Sequence, residues 1–203
     1  MIDAPGSSVG PAPLALSRRL ACVLMAACLA GWRGTGQAQT QPQASTPAAL
    51  DLQIKAAYLY KFAGFTEWPD GSFAQNDSAL LIGVAGHEAL AAQLDQIVAG
   101  RSVNGHPLAV RRVKRGEALT SVHILFIGAL DANGAAELLA QARNQPVLTV
   151  TDSADGLGQG AMIAFLMAQE RLRFDVALKA VNQARLRISA RMLAVAHQVQ
   201  GAT

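Results

Sequence analysis

Cysteine is nearly missing from this chain of 203 residues: Cys22 and Cys28 are the only two, and both lie near the N-terminus. Everything after Cys28 therefore lacks a thiol nucleophile, a disulfide and a thiolate metal ligand. The four histidines, His87, His106, His123 and His197, are scattered, with no i,i+4 pair and no His-Glu-x-x-His, so the metal signal is weak. There is no Gly-x-Ser-x-Gly elbow for a serine hydrolase. Aromatic residues make up 5% and charged residues 15% of the sequence. Beyond Ala38 no stretch reaches the ~20 unbroken apolar residues that a spanning helix needs.

What the N-terminus does have is Arg18-Arg19 followed by the apolar run Leu20 to Ala30, which is too short to cross a bilayer but the right length for the core of a signal peptide. Gly36-Gln37-Ala38 supplies the small residues for cleavage. Residues 1–38 are thus expected to be a signal peptide cleaved near Ala38, and residues 39–49, rich in Gln, Pro, Ala, Ser and Thr, a flexible leader. Met25-Ala26-Ala27-Cys28 loosely resembles a lipobox, so anchoring through a lipidated Cys28 is the rival use of this segment. The remainder, 50–203, has the size of a single domain that can sustain one core.

Removing the leader deletes Arg18, Arg19, Arg33 and Asp3, which leaves one more basic than acidic side chain. The strongly basic face of a nucleic-acid binder is therefore not expected. The one local candidate, Arg111-Arg112-Val113-Lys114-Arg115, reads as a solvated strand end and loop.

Apolar spacing predicts a helix over Asp51–Trp68, with Leu50, Ile54, Ala57, Tyr58, Phe62 and Phe65 on one stripe and Trp68-Pro69-Asp70-Gly71 ending it. Continuous apolar runs predict strands at 80–85, 108–113, 122–128 and 146–151, with helices through Leu90–Val98 and Ala132–Ala142 between them. Such alternation implies an α/β fold: a mostly parallel central sheet with helices on both faces, Rossmann-like and three-layered. Residues 161–167 and 172–176, joined tightly through Gln169-Glu170-Arg171, predict a hairpin at the sheet edge. Helical spacing then continues from Leu178 to Val199, with Ser189 placed to cap a second helix.

Gly156-x-Gly158-x-Gly160 precedes a strand rather than opening a helix and lacks the Walker ending, so it is read as a turn. Gly86 ends the first long strand, where open α/β sheets place ligands, and Asp152 ends another; the two mark a candidate small-molecule crevice without a nucleotide fingerprint. His123, inside an apolar strand, is read as a hydrogen-bonded core residue. Tyr60 and Trp68 fall off the apolar stripe and are candidate partner contacts, joined by Arg185 and Arg191 on the charged side of the C-terminal helices. No catalytic residue, cofactor site or metal site is expected.

The chain as a whole resembles the YfiR-like family of periplasmic proteins. The resemblance is carried by Lys55-Ala56-Ala57-Tyr58-Leu59-Tyr60-Lys61-Phe62 leading to Glu67-Trp68-Pro69, by the stretch Gly100 to Arg112, and by His123-Ile124-Leu125-Phe126-Ile127. Pro146 to Asp152, Met162-Ile163, Leu172-Arg173-Phe174 and Ile188 to Leu193 complete a collinear set over residues 51 to 199. Two departures are Gly160-Ala161, where paired glycines are common, and the absence of the cysteines that stabilise some members. The resemblance implies a non-enzymatic regulator, whose partner is the periplasmic sensor region of an inner-membrane diguanylate cyclase. An outer-membrane lipoprotein would relieve that repression, and cyclic di-GMP and biofilm would follow. A homodimer could form through the first helix or the C-terminal helices. The alternative function is a periplasmic small-molecule binding protein coupled to an envelope receptor or transporter.

Overall fold

The computed structural model describes residues 46–201. The expected signal peptide, its cleavage point, Cys28 and the leader up to residue 45 lie outside the described residues. Helix α1 spans Pro47–Phe65, starting four residues earlier than the spacing of apolar side chains predicts. The reason is local: Thr46 Oγ1 accepts a hydrogen bond from the Ala49 N–H at 3.4 Å, and Pro47 sits at the first helical position, where its missing N–H costs nothing. The helix stops at Phe65 rather than Trp68 because Thr66–Glu67 leave as strand β1, which pairs antiparallel with β9, Arg187–Ile188.

The predicted stripe on α1 is also rotated. Ala56, Leu59, Phe62 and Ala63 are the buried residues, whereas Leu50 is 50% exposed and Tyr58 and Phe65 are half-buried. Alanines at 56 and 63 let the helix approach its neighbours closely, so the buried face runs through residues that the apolar spacing left off the stripe.

The remaining elements run β2 (Leu80–Ala85), α2 (Glu88–Val98), β3 (Ser102–Val103), β4 (His106–Arg112), β5 (Val122–Ile127), α3 (Ala132–Ala142) and β6 (Leu148–Thr151). Then follow β7 (Ile163–Ala168), β8 (Arg171–Ala177), α4 (Leu178–Gln183), β9, α5 (Ala190–Val195) and β10 (Gln198–Gln200). Eight strands form the main sheet in the order β10-β8-β7-β6-β5-β2-β4-β3. Strands β4, β2, β5, β6 and β7 are mutually parallel, and numbered by their order along the chain they lie 2-1-3-4-5, one of the two common doubly wound arrangements. The register sets Ile82 beside Ile124, Ile124 beside Leu148, and Val150 beside Ile163. The inner strands β2, β5 and β6 are buried along nearly their whole length because both faces are covered.

One face packs on α1, α2, α4 and α5, around Phe62, Phe126, Phe165 and Phe174; the other packs on α3 and the turns at 113–121 and 152–161, around Leu119, Leu125, Ile127 and Leu138. The α/β expectation with a C-terminal hairpin therefore holds. The hairpin β7–β8 turns through Gln169 and Glu170, at φ 51° and 58°.

The C-terminus departs from the expected run of helix to Val199. Arg185 at φ 59° breaks the chain after α4, Ser189 Oγ caps α5 by accepting from the Met192 N–H at 3.4 Å, and β10 returns to pair parallel with β8. His197 seals that return: its N–H donates to the Phe174 carbonyl at 2.9 Å and its ring meets Asp175 Oδ1 at 3.0 Å.

Candidate interaction surface

Of the parallel strands, β2 and β5 flank the point where the order reverses, the usual ligand crevice of this arrangement. Here Gly86 follows β2 at φ +70°, and a side chain in its place would meet Leu130 at 2.9 Å. The N-termini of α2 and α3, which present the N–H groups a phosphate would use, are taken by their own caps. Leu90 N–H donates to His87 Nδ1 at 3.4 Å and Gly134 N–H to Asp131 Oδ1 at 2.8 Å. Asp152, which follows β6, accepts from Lys55 Nζ at 3.3 Å, and the same ammonium meets Asp51 at 3.0 Å. Burial works against the Lys55 charge, but the hydrogen bond it donates to Asp51 and the field of Asp152 outweigh it and hold the ammonium above the ordinary lysine value. Strand β5 separates the strands that carry Gly86 and Asp152, and each residue is packed or paired locally. Among the described residues, no group of three or more His, Cys, Asp or Glu side chains could hold a metal ion.

The glycines at 156–160 form turns rather than a cradle. Gly156 is buried, and a Cβ there would fall 2.1 Å from Thr151 Cγ2, so close packing explains that glycine. The arginines of the basic run are also accounted for. Arg112 pairs with Glu88 and Asp95, and Arg115 with Asp131 and Glu137, while the Arg111 guanidinium donates to the Ala118 and Thr120 carbonyls.

The region after β1 is built on Trp68. Its Nε1 donates to the His123 carbonyl at 3.4 Å, and its ring stands edge-on to Phe73 and His123, with centroids 6.2 and 6.0 Å away. Phe73 is stacked between two imidazoles, His106 at 3.7 Å and His123 at 4.3 Å. His123 Nδ1 accepts from the Leu81 N–H at 3.1 Å, so the proton sits on Nε2, which donates to the Ser72 carbonyl at 3.2 Å. Burial pushes the His123 pKa below its usual value; the Ser72 carbonyl pulls the other way, and nearby His106 adds to the lowering. The otherwise irregular segment 69–79 is thereby pinned to the sheet, with His106 Nδ1 also 2.8 Å from the Ser78 carbonyl.

Trp68 forms a wall between two hollows. One, of about 410 Å³, is bounded by Glu67, Trp68, Asp70, Arg185 and Arg187. The other, of about 350 Å³, continues towards Asn76, Asn104 and His106. The structure thus brings together Trp68 and Arg185, two of the residues singled out from sequence. Tyr60 does not join them: it is half-buried, with the Arg101 guanidinium 5.2 Å above its ring. Arg191 lines a separate hollow with Lys61, Phe65, Arg173 and Val195. Sequence reasoning missed Phe73, whose role depends on two histidines distant in the chain. It also missed Arg187, which enters only through the β1–β9 pairing.

A doubly wound α/β domain whose first helix is tied to the C-terminal segment by the β1–β9 pairing and to the central strand by Trp68 is the class this fold defines. The chain belongs to the YfiR/HmsC-like family, whose sequence model matches residues 52–197. The family is regulatory and non-catalytic, and periplasmic. No curated protein matches the chain. No helix among the described residues is long and apolar enough to cross a membrane.

The motifs that carry the resemblance meet in space. Lys55 reaches Asp152 at 3.3 Å, Trp68 reaches His123 at 3.4 Å, Tyr58 and Phe62 pack on Phe174, and the Ser189 N–H donates to the Phe65 carbonyl at 2.9 Å. Most of the family pattern therefore encodes the fold, and the surfaces beside it are the part left for partners.

Proposed function

We propose that the chain is exported, loses its leader near Ala38, and in the periplasm represses an inner-membrane diguanylate cyclase by binding the cyclase's periplasmic sensor region. The observation that carries this reading is the family match, which spans nearly the whole described domain. The hollow between Trp68 and Arg185 is the surface we assign to the contact, since a tryptophan and an arginine on one concave patch are the residue types that anchor protein interfaces.

No chemistry is required of the regulator. If it binds the inactive form of the cyclase more tightly than the active form, the populations shift by that ratio, about 1.4 kcal/mol for each factor of ten. An outer-membrane lipoprotein that competes for the regulator would release the enzyme, raise cyclic di-GMP and promote biofilm.

The test is cellular cyclic di-GMP in a deletion strain, restored with the chain either exported or confined to the cytoplasm. A rise on deletion that only the exported form reverses is expected. No change in any strain would remove the regulator reading. Arg185→Glu, an exposed position where surface substitutions alter stability by only about 0.5 kcal/mol, is expected to lose repression while the protein accumulates normally.

A further inference from the structure

The third hollow, of about 510 Å³, has a composition unlike the other two. Its floor is apolar: Phe62, Phe174 and Met192 are buried, and Tyr58 and Phe65 are half-buried. Three cations surround it, Lys61 from α1, Arg173 from β8 and Arg191 from α5, and no carboxylate lines it. All three are exposed, and among the described residues none of them forms an ion pair, whereas Lys55, Arg111, Arg112 and Arg115 all do. Cations without an ion pair occur elsewhere too, Arg101, Lys114 and Lys179 among them, but at this hollow three of them converge on an apolar floor with no carboxylate in the lining.

Apolar surface also continues outward from this hollow. Val195 on its rim is 58% exposed, and Met167 is 63% exposed; together with Leu50 these are the exposed large hydrophobic residues of the described chain. Met167 stands opposite Leu172 in the β7–β8 register, which puts it on the sheet face that carries Phe174. Leu50, Ile54, Tyr58, Lys61 and Phe65 follow one another at three- and four-residue steps along α1, so the helix side next to the hollow is a stripe only partly buried by the chain's own core.

We infer that this hollow is a second docking surface, and that its occupant is an acidic amphipathic segment of a partner protein, with apolar side chains on the Phe62–Phe174–Met192 floor and carboxylates against Lys61, Arg173 and Arg191. An amphipathic helix laid in a groove is the recognition mode that needs both features at once. Three unpaired cations around the rim select against a basic or neutral segment and speed the encounter, and their exposure makes the attraction sensitive to salt. This inference rests on the regulator reading and deepens it: a regulator that hands its target over to a competitor needs a second surface besides the one between Trp68 and Arg185.

The experiment uses the exported chain purified from the periplasm and two labelled helical peptides, each with leucines at three- and four-residue spacing, one with glutamates and one with lysines elsewhere. Fluorescence anisotropy is expected to show saturable binding of the glutamate peptide alone, weakening as salt rises. The triple variant Lys61→Glu, Arg173→Glu, Arg191→Glu is expected to weaken that binding at least tenfold. Lys114→Glu, an exposed reversal elsewhere, is expected to leave it unchanged, and circular dichroism reports whether each variant is folded. Should the triple variant misfold, Arg191→Glu alone, at an exposed site, gives the same reading in smaller measure.

Equal binding of both peptides, or no loss on charge reversal in a folded variant, would overturn the proposal. So would capture of phosphatidylglycerol vesicles in preference to the peptide, or self-association of the chain that the triple variant abolishes. No cyclase is present in the titration, so its failure leaves the cellular cyclic di-GMP result standing, and an absent cyclic di-GMP response leaves the peptide result standing.

Discussion

His123 is neutral in the folded chain because its Nδ1 accepts from Leu81 while burial disfavours a second ring proton. Its folded pKa lies below the ordinary 6.5, so on acidification the unfolded chain takes up the proton first. The sign follows: the contribution is fully present above about pH 6.5 and is lost as the pH falls from there through the lowered folded value. Urea midpoints measured across that range are expected to decline on the acid side, and to decline less in H123Q, which cannot titrate there. Lys55 makes a complementary case. Lys55→Met removes the cation shared by Asp51 and Asp152 and leaves two carboxylates near a filled site, for an expected loss of about 1–3 kcal/mol. Adding Asp152→Asn should recover part of the loss, which a double-mutant cycle would measure as coupling. The partners of these two residues were not legible in the sequence. His123 in an apolar strand signals a satisfied core histidine, but nothing local says that Ser72 and Phe73 satisfy it.

Elements follow the same division between local and distant causes. The long strands were legible because runs such as Leu80–Ala85 and Val122–Ile127 are apolar on both faces, and α5 because Ser189 stands at its cap. Strands β1, β9 and β10 are two or three residues long and carry no periodicity, so they exist only through their pairing partners. The β7–β8 turn offers a direct test of local fit. Gln169 and Glu170 both sit at positive φ, 51° and 58°, a conformation in which Asn-Gly is at ease. Replacing the pair by Asn-Gly is expected to stabilise the hairpin by about 0.5–1 kcal/mol, a rise in Tm of roughly 1–4 °C by thermal unfolding. Ser189→Ala should act in the opposite sense, costing about 1 kcal/mol by uncapping α5, and a lower Tm would register it.

For the whole molecule, the doubly wound order was legible from the alternation of strand and helix, while the positions of its surfaces were not. The sheet brings α1 against β8 and α5, so a hollow shared by residues 61, 173 and 191 has no signature in any one segment. The same reasoning bears on stability. Both cysteines precede Ala38, so the domain that remains after the proposed cleavage has no disulfide and must rest on its core and its ion pairs. Its thermal midpoint, measured on protein recovered from the periplasm, is therefore expected to be the same with and without a thiol reductant. A midpoint that falls on reduction would mean that Cys22 and Cys28 are still attached and bonded, and that the chain reaches its destination without losing the leader. The same measurement thus tests both how the fold is held together and how the protein is matured.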